Sequence, residues 1–153
     1  MKMIYALVLV MGLVLSTAPA WSAGNPDPAQ SASTLAREAI GAARKAGKCV
    51  SVAIVDEGGH LFYFERDACA HLGSIETAIQ KARSANAFRR PTSAFAEAVS
   101  GGNLGIVTAA GVMAVAGGLP VEGKGPKIGG IGVGGATAAE DEAFARQALE
   151  RAR

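Results

Sequence analysis

Histidine, cysteine and the aromatic residues are scarce in this chain, and each scarcity closes off a class of function. Two histidines and two cysteines occur, without CxxC, HExxH or Glu-x-x-His spacing, so neither a structural zinc site nor a helix-borne metalloprotease centre finds its ligand set. Aromatics make up 5% of the residues. That argues against a large aromatic pocket, and the abundance of Ala and Gly points instead to close helix–sheet packing. An excess of either charge is also missing. The net charge of +2 is too near neutrality for the strongly basic face that nucleic acid demands. No GxSxG motif supports a serine nucleophile.

A membrane-length apolar run is absent as well. Ile4–Leu15 is apolar over 12 residues, well short of the roughly 20 that span a bilayer. Lys2 precedes it, and the small residues of Ser16–Ala23 follow, Ala18-Pro19-Ala20 fitting a cleavage site. Residues 1–23 therefore read as a cleaved export signal, which places the mature protein in the periplasm or outside the cell, with no membrane span. Removing those 23 of 153 residues leaves 130, enough for one domain with a real core. Residues 24–32 read as a flexible tail and residues 33–153 as that domain.

Within it, residues 31–46 carry Leu35, Ala39, Ile40 and Ala43 on one helical face, with Gly47 as the stop. Cys49–Asp56 is a Val/Ile-rich strand. Gly58-Gly59 turns it into Leu61–Phe64, so the two strands form a hairpin. Ser74 is placed to cap a helix that runs to about Phe88, and Thr92, after Pro91, to cap a shorter one. Val112–Val115, Leu119–Glu122 and Lys127–Val133 read as short strands. Thr137 and Glu140 form a capping box for a final helix. These elements predict an α+β fold, a largely antiparallel sheet of about five strands flanked by helices.

The hairpin bears on the cysteines. A three-residue Gly58–His60 loop sets Cys49 opposite Cys69, and a two-residue loop leaves Cys69 one step away. Either brings the pair close enough to consider a disulfide, which export would favour; two buried free thiols are the other reading. His60 at the hairpin tip and His71 in the loop before the Ser74 helix could each ligate iron or carry a proton. Lys81, Arg83, Arg89 and Arg90 make a basic cluster that suits carboxylates, whether on a small organic acid or on haem propionates. The glycines of Gly129–Gly135 contain G-x-G-x-x-G, but the chain lacks the second parallel strand and ribose-binding acid of a dinucleotide site. A close approach of helix or subunit to that strand explains them better.

The segments VAIVDEGGHLFYFERDA, GSIETAIQKARSANAFRRPT and GGLPVEGKGPKIGGIGVGGATAAEDEAFA resemble the GlcG/HbpS family, which includes the C-terminal domain of PduO-type proteins. The resemblance covers nearly all of residues 33–150. It implies an antiparallel sheet flanked by helices, a homo-oligomer, and haem as cofactor, with haem degradation or redox sensing linked to some members. Other members accompany glycolate or corrinoid metabolism, which implies instead an accessory or binding protein for a small organic acid. Some members use a histidine of the first helix as the haem ligand. That helix has none here, so the axial role falls to His71, His60 or the oxygen of Thr92. In this reading His71 is the first choice for iron, Phe88 packs on the macrocycle, and Lys81 with Arg89 or Arg90 binds the propionates.

Overall fold

The computed structural model describes residues 27–122 and 128–152, so the expected export signal, Gly24–Pro26 of the tail and Lys127 lie outside it. The first helix, α1 (Pro28–Lys45), begins earlier than its apolar periodicity suggests. Asp27 accepts a hydrogen bond from the Ala29 amide, and Pro28 occupies the first helical position, where a missing N–H is no loss. Residues 28–32, expected in the flexible tail, are therefore helical. Gly47, at φ 68°, ends the helix as expected.

Strands β1 (Ser51–Asp56), β2 (Leu61–Arg66), β3 (Gly118–Pro120) and β4 (Ile128–Gly134) form one antiparallel sheet in the order β2-β1-β4-β3. Side chains alternate across β1, which sorts them between two cores. Val52 and Ile54, with Ile131 and Val133, meet Leu35 and Ile40 of α1 and Phe144 of α4 (Ala138–Arg151). Ala53 and Val55 meet Ala78 and Ala82 of α2 (Gly73–Phe88) on the opposite face. Helix α3 (Ser93–Ser100) and a 3-10 turn at Leu104–Thr108 complete the chain between α2 and β3. Among the described residues no helix is long and apolar enough to cross a membrane.

Among the described residues four strands stand where about five were expected, because Val112–Val115 does not enter the sheet. Gly111 and Gly117 adopt positive φ on either side of it, and the Met113 amide donates to the Ser84 hydroxyl on α2 at 3.0 Å instead of to a strand. Two expected caps are also absent. The Ser74 hydroxyl is buried 2.7 Å from that of Ser51, and it donates to the His71 carbonyl, joining α2 to the sheet. The Thr137–Glu140 capping box forms as expected. The Thr137 amide and hydroxyl hold the Glu140 carboxyl below its ordinary range.

The hairpin pairs Ser51 with Arg66 and Ile54 with Tyr63, then shifts at a bulge so that Val55 faces Leu61. In this register Cys69 falls one step past the position opposite Cys49. The Asp67–Ala70 turn closes that step, with the Asp67 amide bonded to Val50 O and the Ala70 amide to Asp67 O. Cys49 and Cys69 are disulfide-bonded, their Cα atoms 5.6 Å apart. A Cys49→Ala/Cys69→Ala variant is expected to lose about 3 kcal/mol of stability, the chain-entropy value for a loop of this size. Urea denaturation of the oxidised wild type against the variant measures it; a difference below about 1 kcal/mol would mean that the bridge contributes little.

Candidate functional site

Lys81 sits at the centre of α2, on the face turned to the sheet, and is 1% exposed. Its ammonium donates to Asp141 Oδ2 at 2.7 Å and to the Val133 carbonyl at 3.0 Å. Asp141 Oδ1 accepts from the Ala136 amide. Burial pushes the Asp141 carboxyl up from its ordinary value, and the Lys81 ammonium works against that rise. The pair ties α2 to β4 and α4. It also corrects the expected role of Lys81: this ammonium is spent inside the protein and cannot reach a propionate. Asp141 escaped the sequence reading, although it shares the spacing i, i+3, i+4, i+7 with the buried Phe144, Ala145 and Ala148. An acid on the apolar face of a helix was the available signal.

Thr92 is likewise interior. Its hydroxyl accepts from the Gly118 amide at 2.9 Å, and its own amide donates to Gly118 O, fixing the start of α3 to β3. The Thr92 oxygen, expected as a possible iron ligand, is therefore buried and engaged.

The remaining expected residues separate into two groups. His71 is exposed just before α2, and Arg89 and Arg90 follow its far end. Sixteen helical residues at about 1.5 Å each put roughly 24 Å between those ends. A macrocycle bound to His71 would have to reach along the whole of α2 to pair its propionates with Arg89 and Arg90 of the same chain. His60 is different. The hairpin tip folds onto the C-terminal half of α2, where Arg83 Nε donates to Gly59 O at 3.3 Å and Asn86 Nδ2 donates to Glu57 O at 3.2 Å. Arg83 and Asn86 precede Arg89 by two turns or less, so the fold brings His60 to the arginine-bearing end of the helix.

The His60 ring is 83% exposed, with Nδ1 3.4 Å from Asp56 Oδ1. Asp56 also accepts the His60 amide at 2.8 Å, and that bond holds its carboxyl below the ordinary range. A carboxylate beside Nδ1 orients the ring and leaves Nε2 as the nitrogen open to a metal. Arg89 ends α2 at φ 51°, the one non-glycine residue with positive φ among those described. Such backbone is uncommon outside glycine and concentrates at functional positions. Phe88 meets Phe95 edge to face, ring centres 5.2 Å apart, and the Arg90 guanidinium lies 5.6 Å from the centre of the Phe95 ring. The adjoining 3-10 turn exposes Leu104 and Val107. Apolar surface and exposed guanidinium groups thus follow the C-terminal half of α2, on which the hairpin tip carrying His60 docks.

A depression of about 340 Å³ is lined by Ser93, Ala116, Ala139, Glu142, Ala143 and Arg146. Arg146 pairs with Glu142 at 2.7 Å there. Its size is at the lower limit for a small-molecule site.

The family model described as "Haem degrading protein HbpS-like" matches residues 28–150. A crystal structure of an HbpS double mutant from Streptomyces reticuli is 32% identical, with a TM-score of 0.73 and 97% of each chain covered. A solved PduOC–haem complex is 28% identical, with a TM-score of 0.71 over 82% of this chain and 94% of that one. Protein GlcG of Escherichia coli K12 is 39% identical over 92 residues, 60% of this chain and 68% of its own length.

Proposed function

This chain belongs to the HbpS-like family of haem-degrading proteins, and on that premise we propose that it is an exported haem-binding protein. The observation that supports the reading is the docking of the hairpin tip on the C-terminal half of α2, where Arg83 donates to Gly59 O and Asn86 to Glu57 O, within two turns of Arg89. His60 Nε2 would hold the iron, with Asp56 fixing the ring from the other side. Arg89 and Arg90 would pair with the propionates, since guanidinium groups meet carboxylates in bidentate fashion. Phe88, Leu104 and Val107 would supply apolar surface to the macrocycle. The haem supplies the redox-active iron, and the protein's part is to bind and orient it.

Export through residues 1–23 and assembly into a homo-oligomer belong to the same proposal. A second copy would cover the haem face that His60 leaves open. Haem degradation, the activity in the family's name, and redox sensing are its finer forms.

Titrating purified mature protein with haemin tests the reading. A shifted Soret band is expected, lost in His60→Ala, kept in His71→Ala and weakened in Arg89→Ala/Arg90→Ala. No shift at micromolar haemin, or a shift that survives His60→Ala and fails in His71→Ala, would overturn the assignment. The depression at Arg146 favours a second reading, binding of a small organic acid as an accessory to glycolate-type metabolism. Thermal stabilisation by a short hydroxy acid, abolished in Arg146→Ala and without any haemin response, would select it.

A further inference from the structure

Three potential metal ligands meet where α1, the hairpin and the loop before α2 converge: the two sulfurs of Cys49 and Cys69 and the carboxylate of the buried Asp67. These donor atoms lie within 4.8 Å of one another. We propose that opening the disulfide turns this cluster into a site for a thiophilic d¹⁰ cation such as Zn²⁺ or Cd²⁺, bound by two thiolates and one carboxylate with a fourth position open to water.

Contacts other than the disulfide also hold this turn. The Asp67 amide is held by Val50 O and the Ala70 amide by Asp67 O, both at 3.0 Å. The Asp67 carboxylate is gripped by Arg44 of α1, with Nη2 at 2.6 Å and Nε at 3.1 Å from each oxygen. Arg66 Nη1 reaches Ala70 O across the same turn. Reduction therefore leaves both cysteines on anchored backbone beside the carboxylate. Tetrahedral zinc with Zn–S bonds of about 2.3 Å needs its sulfurs roughly 3.8 Å apart, a separation that side-chain rotation alone can supply. Cys69 is exposed, which gives reductant and metal a path in.

The chemistry balances simply. An external dithiol delivers two electrons and two protons, the Cys49–Cys69 bond breaks to two thiols, and the dithiol becomes a disulfide. Metal binding then releases the two thiol protons as Cys49 and Cys69 ligate. Disulfide and metal are alternative occupants of one place, so the exported protein carries the bridge and a reducing environment exchanges it for the cation.

Cd²⁺ titration of the full mature protein tests this, after reduction and removal of the reductant by desalting. A thiolate-to-cadmium absorption band saturating at one ion per chain is expected in reduced protein and absent in oxidised protein. Asp67→Asn should weaken binding at least about tenfold. Arg44→Gln breaks the same ion pair but keeps the carboxylate, and should bind as tightly as wild type or more so. Far-ultraviolet circular dichroism on each reduced sample reports whether the fold persists. Binding that is indifferent to Asp67→Asn, weakened equally by Arg44→Gln, seen only in unfolded protein, or missing after reduction would each overturn the proposal. None of these outcomes bears on the haemin titration.

Discussion

Asp141→Ala is expected to lower the unfolding free energy by about 3–5 kcal/mol, because it leaves the Lys81 ammonium buried without its counter-charge. Only the Val133 carbonyl would remain to it, in a site where Lys81 is 1% exposed. Replacing both partners by apolar groups of similar volume, Lys81→Met/Asp141→Leu, should restore most of that loss, since neither charge is then buried alone. Denaturant unfolding of the single and double variants measures both effects. A single-variant loss under about 1 kcal/mol, or a double variant as unstable as the single, would remove the ion pair from the account of the core. The same double variant separates structure from ligand binding. It should keep any Soret shift, because Lys81 reaches Asp141 and Val133 and not the surface.

Gly132→Ala should be at least as damaging as the commonest overpacking changes, costing about 3 kcal/mol or more. A Cβ at Gly132 would meet the Ala78 carbonyl oxygen and come 2.5 Å from the Ala82 amide nitrogen. Those are backbone atoms of α2, so no rotamer change relieves the clash and the helix must lift from β4. Gly130 and Gly134 of the same strand face α2 in the same way, which accounts for the glycine run read as a close-approach surface in the sequence. Gly41→Ala is the control. It lies in α1 with open space around its Cβ position, and it should be neutral or stabilising by up to about 1 kcal/mol. Thermal unfolding of the two variants gives the comparison, and similar melting temperatures would refute the packing account.

Local signals carried the sequence reading where a single element was enough. Thr137 with Glu140, Gly47 after α1, and Gly58-Gly59 between two β-rich runs each specify a structure through atoms within a few residues. Ser74 and Thr92 have the same local chemistry as a helix cap, yet their hydroxyls went to Ser51 and to Gly118. A short polar side chain takes whichever partner the packing presents, and Ser51 and Gly118 lie more than twenty residues away from Ser74 and Thr92. Lys81 failed for the same reason. A lysine bordering an apolar arc resembles a solvated or ligand-binding cation until its distant carboxylate is placed.

Composition and pattern alone determined an α+β domain of hairpins and helices, the hairpin that brings Cys49 towards Cys69, and a strand of glycines under a helix of alanines. Those features rest on periodicity and turn chemistry, which act over one or two turns of chain. Tertiary structure decided that the hairpin tip carrying His60 docks on the C-terminal half of α2, which charges vanish into the core, and that Asp67 stands beside the disulfide. Each of these depends on how far apart two helix ends lie or which element crosses another. Distances of that kind arise only when the sheet assembles.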